Sequence, residues 1–162
     1  MNARISSFTP RDFAAVREHV ASFYHARVDE AVAWKRVAKN GDEIPGNAEL
    51  QILDNDRHPD GKNALTSAGT NYALHAAPAG VVKPANSWNA VRLVVNGQHV
   101  EHWLNGAKVV QYELGSADWE ARRTSSKFAN STKYGRAKRG FIALQDHGDR
   151  VEFRNIRLRE LP

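Results

Sequence analysis

Cysteine is absent from this 162-residue sequence, and so is any long apolar stretch. Without cysteine the protein forms no disulfide bond and uses no thiolate chemistry, and its redox compartment is left unmarked. No run approaches the ~20 apolar residues that span a bilayer. The N-terminus, which begins with Met1, lacks the apolar core of a secretory signal. We therefore expect no membrane partner and no signal peptide in this chain.

Three common catalytic signatures are missing as well. The sequence has no Gly-x-Ser-x-Gly, no His-Glu-x-x-His and no Gly-rich phosphate loop. Nucleophilic serine chemistry, zinc hydrolysis and nucleotide binding therefore lose their usual sequence support.

Basic residues exceed acidic ones, 23 against 18, and much of the excess lies in residues 122–139. A nucleic-acid surface interleaves such cations with aromatic side chains. Only Phe128 and Tyr134 are interleaved here. We therefore expect a solvated loop at this segment and no nucleic-acid partner.

The first 45 residues differ in character from the rest, and we predict a partly helical N-terminal segment over 1–45 and one β domain over 46–162. Thr9 and Pro10 suit a helix start, and apolar residues then follow a three-four spacing that predicts a helix over 10–38. The spacing weakens after Tyr24, where an extended chain over 26–28 fits equally well.

From residue 46 onward the patterns are mostly those of β-strands separated by turns. Residues 49–53 alternate, with Glu49 and Gln51 on a polar face. Further strands are predicted over 71–74, 90–95, 100–104 and 108–114, with a closing hairpin over 140–158. Asn-Gly pairs mark two of the turns, and Ser116 is positioned to cap a short helix near 116–123. The predicted fold class is mainly β, an antiparallel β-sandwich or jelly roll.

The loop that follows residues 49–53 is crowded with carboxylates, an imidazole and a guanidinium. Asp54, Asp56 and Asp60 offer hard oxygen ligands, so a structural calcium ion is one hypothesis, although the spacing lacks the Gly and the final Glu of an EF-hand. The alternative is that these side chains form Asx turns with their own backbone. We expect no other cofactor.

Two histidines occupy very different contexts. Alternation over residues 99–104 places His102 with aliphatic neighbours, which predicts a core histidine. Near residue 147, by contrast, Gln145, Asp146 and His147 arrive together at the end of an apolar strand. Three hydrogen-bonding side chains are costly to bury without a use, so they are site candidates. Gln145 and His147 share one face of that strand, and Asp146 faces the other way.

Several short motifs together resemble the 3-keto-disaccharide hydrolase domain family, in order from about residue 47 to residue 161. These motifs are residues 49–55, 57–60, 80–84, 88–89, 100–106, 112–116 and 140–155. The resemblance implies a concanavalin A-like sandwich whose curved sheet carries a carbohydrate site. It also implies cleavage of glycosides whose sugar has been oxidised to a 3-keto form. Such a reaction needs a base, a proton donor and a group that polarises the ketone.

The resemblance also supplies candidate residues for that chemistry. The catalytic candidates are Glu49, His58, Asp146 and His147, with His147 or Glu49 favoured as the base. The candidates for binding the substrate are Gln51, Arg57, Asn105 and Gln145. No metal ligand is assigned.

The first 45 residues lack the strand motifs with which the family usually begins. We expect that this segment supplies a helix or replacement strands, or that a second copy of the chain covers an exposed sheet edge. The resemblance implies a carbohydrate ligand and a bacterial periplasmic or extracellular location. A lectin-like module that binds a glycan without chemistry is the alternative function.

Overall fold

The computed structural model describes residues 26–29, 48–136, 144, 151–159 and 161. Its strands are β1 (Ala26–Asp29), β2 (Trp88–Asn96), β3 (His99–Leu104), β4 (Ala107–Glu113) and β5 (Val151–Arg154), which form one sheet in the order β4-β3-β2-β1-β5. A 3₁₀ helix covers Pro59–Lys62, and an α-helix, α1, covers Ala117–Thr124. No helix among the described residues has the length and apolar character needed to cross a bilayer. The prediction of a mainly β fold is confirmed.

Strands β2, β3 and β4 form the predicted antiparallel meander. Gly97 has a φ of 61°, the positive value required at the first position of a type II′ turn. In the second turn Asn105 and Gly106 have φ values of 50° and 85°, as a type I′ turn requires. These turns match the twist of the paired strands, so the sequence signals for both hairpins are confirmed.

Strand β1 corrects the prediction of a helix over residues 10–38. Ala26–Asp29 is extended and pairs in parallel with both β2 and β5, so the helix is wrong at these four residues and the extended alternative holds. Backbone pairing on both sides outweighs the local three-four spacing. The sheet is therefore mixed, with parallel pairs around β1. The other residues of the predicted helix, and the first strand of the closing hairpin except Leu144, lie outside the described residues.

The polar-faced strand predicted over 49–53 is replaced by a short irregular ladder. The Gln51 N–H donates to the Thr70 carbonyl over 3.0 Å, and the Gly69 N–H donates back to Gln51 over 2.8 Å. Residues 71–74, predicted as a strand, instead form a turn in which Ala73 has a φ of 62°. The turn bends the backbone away from residues 50–53 after the one bridge between Leu50 and Asn71, because a longer ladder needs extended residues.

Among the described residues, the core lies between one face of the meander and the chain segments 48–82 and 114–134. Its buried members from the sheet are Val91, Val100, Leu104, Val109, Val110 and Tyr112, and those from outside the sheet include Leu50, Leu74, Trp119 and Tyr134. His102 is 1% exposed, and its Nδ1–H donates to the Gly69 carbonyl over 3.1 Å, which confirms the core histidine. The Ser116 hydroxyl accepts from the Trp119 N–H, which confirms the predicted cap of α1.

Two buried histidines give the fold an expected sensitivity to acid. Burial lowers the pKa of His102 to about 4, and burial together with the Arg122 guanidinium lowers the pKa of His75 to about 4. Both pKa values lie below the ordinary value of 6.5, so the unfolded chain takes up protons first as the pH falls. We expect the free energy of unfolding to decrease between about pH 6.5 and about pH 4, with His102 alone accounting for up to about 3 kcal/mol.

Urea unfolding at several pH values measures this effect. The matched variant His102→Gln removes one titrating group, so its unfolding free energy should change less steeply with pH than that of the parent protein. Identical slopes in the two proteins would contradict the assignment.

Candidate active site

The loop between residues 54 and 61 uses its polar side chains to hold its own backbone. Asp54 Oδ1 accepts from the Asp56 N–H over 2.9 Å, and His58 Nδ1 accepts from the Asp60 N–H over 3.0 Å. Arg57 is exposed, with its Nε 3.8 Å from Asp54 Oδ2. Local capping of the Asx-turn type is therefore observed. No group of three or more His, Asp or Glu side chains in the described part of the chain is arranged to share a metal ion.

Asn105, a predicted sugar ligand, is engaged in the structure of its own turn. Its Nδ2 group donates to the Val81 carbonyl over 2.7 Å and to Asn89 Oδ1 over 2.8 Å, and its Oδ1 accepts from the Ala90 N–H over 3.0 Å. These bonds tie the 81–83 loop to the start of β2. Because the amide already has these partners, the geometry favours a positioning role for Asn105 over direct contact with a sugar.

Gln51 was predicted on a polar face, and that prediction is wrong. Its side chain is 2% exposed, and its Nε2 has no hydrogen-bond partner. It lines a small, mainly apolar cavity together with Val91 and Leu104. The reason is the ladder with residues 69–70, which turns Gln51 toward the core. A buried amide group without a partner costs about 1–3 kcal/mol, so the Gln51 side chain is a destabilising feature two residues from Glu49 in the sequence.

Glu49 is half-buried and lies next to a tyrosine that sequence reasoning had not selected. The Tyr72 N–H donates to the Glu49 carbonyl over 3.0 Å, and the Tyr72 hydroxyl donates to Asp60 Oδ2 over 3.2 Å. Burial raises the pKa of Tyr72 to about 12, and the carboxylates of Asp60 and Glu49 act in the same direction. The phenol therefore keeps its proton at neutral pH, in a position influenced by two carboxylates.

The loop after α1 brings a lysine to the same place. Lys127 Nζ lies 3.9 Å from the centre of the Tyr72 ring and 5.2 Å from that of Phe128. Phe128 stacks on Tyr134 with ring centres 4.2 Å apart, and Tyr134 stacks on Trp119 at 5.6 Å. We refer to Glu49, Asp60, Tyr72 and Lys127 as the Glu49 cluster.

The cluster contains one predicted catalytic residue, Glu49, and three groups that the sequence analysis did not assign to catalysis. The sequence pattern suggested Asp60 as a calcium ligand and as the last residue of a family motif, and it placed Lys127 in a basic segment. The one sequence signal that could have pointed to this cluster is the 57–60 motif of the family resemblance. Its last residue, Asp60, accepts the hydrogen bond from the Tyr72 hydroxyl. Gln145, Asp146 and His147 lie outside the described residues, so their roles stay predictions.

Trp88 and Trp103 lie on the outer face of the sheet, apart from the Glu49 cluster. Trp103 Nε1 donates to Glu101 Oε2 over 2.7 Å, and the Arg92 guanidinium carbon lies 4.1 Å from the centre of the Trp103 ring. The Arg154 guanidinium carbon lies 3.8 Å from the Trp88 ring. Both rings are half-buried and each is approached by a cation, so neither belongs to the buried core.

Comparisons with known proteins show what this chain is similar to. The sequence profile of the family described as a 3-keto-alpha-glucoside-1,2-lyase-like domain matches residues 18–159. A 3-keto-disaccharide hydrolase from Bacteroides thetaiotaomicron is 36% identical over an alignment of 127 positions, which covers 70% of this chain and 43% of that protein. A crystal structure of a Parabacteroides distasonis protein assigned as a glycosyl hydrolase aligns with a TM-score of 0.62 and 29% identity. That alignment covers 73% of this chain and 56% of the other.

The chain thus spans 43% of the length of the curated relative and 56% of the solved one. The profile match begins at residue 18 and so includes β1, in the region that the sequence analysis separated from the β domain. The resemblance seen in the short motifs is confirmed over most of the chain. The chain belongs to the 3-keto-alpha-glucoside-1,2-lyase-like domain family.

Proposed function

We propose that this chain cleaves glycosides whose sugar carries a ketone at C3, by removal of the C2 proton, elimination of the aglycone and addition of water. The observation that carries the proposal is the position of Glu49. Within a domain of this family, Glu49 is half-buried and its carboxylate acts electrostatically on the protonated phenol of Tyr72, whose ring face contacts the Lys127 ammonium. The cluster thus combines a proton acceptor, a proton donor and a cation in one place.

The chemistry needs no nucleophile on the protein. The base takes the proton from C2, and the electron pair of the C2–H bond forms an enolate with the C3 oxygen. When the C3 ketone re-forms, the C1–C2 double bond forms and the C1–O bond to the aglycone breaks. The aglycone oxygen leaves with that electron pair and takes up a proton. Water then adds at C1 and C2 is protonated again, so the net reaction is hydrolysis.

Glu49 is the base in this proposal, and His147 is the alternative base that the sequence analysis kept open. Tyr72 is suited to donate a proton to the leaving oxygen, because Asp60 orients its hydroxyl and its pKa of about 12 keeps it protonated. Gln51 supports the segment that carries Glu49 through its backbone, which exchanges hydrogen bonds with Gly69 and Thr70.

The test is incubation of the protein with 3-keto-trehalose or a 3-keto-glucoside in D₂O, followed by NMR. Release of free sugar with deuterium incorporated at C2 is the expected result, because the route passes through removal of the C2 proton. Release without deuterium would exclude this route. Saturable binding without any turnover would favour the lectin-like alternative instead.

A further inference from the structure

The basic residues of the 122–139 segment lie at the end of α1 and in the loop that follows it, and three of its arginines form ion pairs with carboxylates of α1. Arg122 Nε lies 2.7 Å from Asp118 Oδ2, and Arg123 Nε lies 3.1 Å from Glu120 Oε2. Arg136 also pairs with Glu120, over 2.5 Å. The positive charge of these side chains is therefore largely neutralised by carboxylates of α1.

Lys127 is different. Among the described residues, no carboxylate lies within ion-pair distance of its ammonium, whose contacts are with the rings of Tyr72 and Phe128. A ring face attracts a cation but does not cancel its charge. The phenol of Tyr72 stays protonated and neutral, so Tyr72 does not offset the charge of the ammonium that contacts its ring.

The position of Lys127 is supported by the loop on its C-terminal side. Arg123 Nη1 donates to the carbonyl of Phe128 over 3.1 Å and to that of Ala129 over 3.0 Å. The Phe128 ring is fixed by its stacking on the buried Tyr134. A long lysine side chain is costly to order, and this anchoring of its neighbour lowers that cost.

We propose that the Lys127 ammonium binds the C3 oxygen of a 3-keto sugar and stabilises the enolate that forms when the C2 proton is removed. This inference rests on the proposed function and adds its ketone-polarising group. The base leaves the electron pair of the C2–H bond on the substrate, so negative charge develops on the C3 oxygen while the proton moves to the base. An oriented cation at that oxygen stabilises the transition state more than the neutral ketone, and it therefore acts on kcat.

The experiment compares Lys127→Gln, Lys127→Arg and the control Lys133→Gln, which changes another exposed lysine of the same loop. Loss of one oxyanion-stabilising donor lowers kcat by about 10²–10³-fold. We expect Lys127→Gln to show a fall of that size, with the same fall in the rate of C2 proton exchange and little change in KM. Lys127→Arg should regain part of the activity, because it restores the charge. Lys133→Gln should match the parent protein.

The outcomes separate this inference from the proposed function. If the parent protein turns over 3-keto-glycosides and Lys127→Gln matches it in kcat and exchange rate, the role of Lys127 is overturned while the proposed function stands. A change confined to KM would equally overturn it, since that pattern indicates uniform binding. If the parent protein shows no turnover or exchange at all, the proposed function fails and the role of Lys127 fails with it. Unchanged circular dichroism of the variants excludes misfolding, which is not expected at an exposed side chain.

Discussion

Replacement of Glu49 by glutamine is expected to lower kcat on a 3-keto-glycoside by about 10²–10⁴-fold, the usual contribution of a general base. Glutamine has nearly the same size and shape, but it cannot accept the C2 proton at neutral pH. The backbone pairing of residue 49 with Tyr72 uses the carbonyl and not the side chain, so the fold should be retained. Initial rates and deuterium exchange at C2 measure the effect, and both should fall together.

The control for this variant is Glu113→Gln. Glu113 is an exposed carboxylate at the end of β4, where it contacts His99 and not the Glu49 cluster. Its replacement should leave kcat within about twofold of the parent value, as for a side chain without a role in the transition state. If Glu49→Gln keeps full exchange activity and His147→Ala loses it, the base is His147 and the assignment to Glu49 is wrong.

The meander shows what the sequence could predict. The alternation over 99–104 is a local property of the chain, and it placed His102 on the core face correctly. The turns at Gly97 and at Asn105-Gly106 need positive φ values that few residues adopt, so their positions were readable from sequence. Ser116 and α1 followed from capping in the same way.

Structural features that depend on contacts between residues far apart in the sequence could not be predicted from local sequence patterns. β1 is extended because β2 and β5 provide hydrogen bonds on both sides, although its local spacing resembled a helix. Gln51 belongs to an alternating pattern that predicts an exposed side chain. Its backbone hydrogen bonds with Gly69 and Thr70 instead turn the side chain toward the core. The contact of Lys127 with Tyr72 joins a loop to a turn far away in sequence. Hydrophobic patterns carry no information about such a polar contact, because both side chains look like surface residues.

The largest effect on stability is expected for Trp119→Ala. Trp119 is 0% exposed, stacks on Tyr134 and packs against the backbone of Gly135, where a Cβ atom would lie 2.6 Å from the indole ring. Removing a buried tryptophan side chain costs about 3–5 kcal/mol through lost burial and the cavity that remains. A domain with a typical unfolding free energy of about 5–15 kcal/mol would lose a large share of it. Urea denaturation at pH well above 6.5, where His75 and His102 are neutral in both the folded and the unfolded chain, measures the loss.

Trp103→Ala is the matched control, because it removes the same side chain from the outer face of β3. Trp103 is half-buried and touches Arg92 and Glu101, so its loss should cost about 1–2.5 kcal/mol, the sum of a surface cation contact and a hydrogen bond. Equal losses for the two variants would contradict the placement of Trp119 in the core.

The two variants should also differ in kcat. Trp119 supports the Tyr134–Phe128 stack that holds the loop bearing Lys127, whereas Trp103 has no contact with that loop, so only Trp119→Ala should weaken turnover in the folded protein.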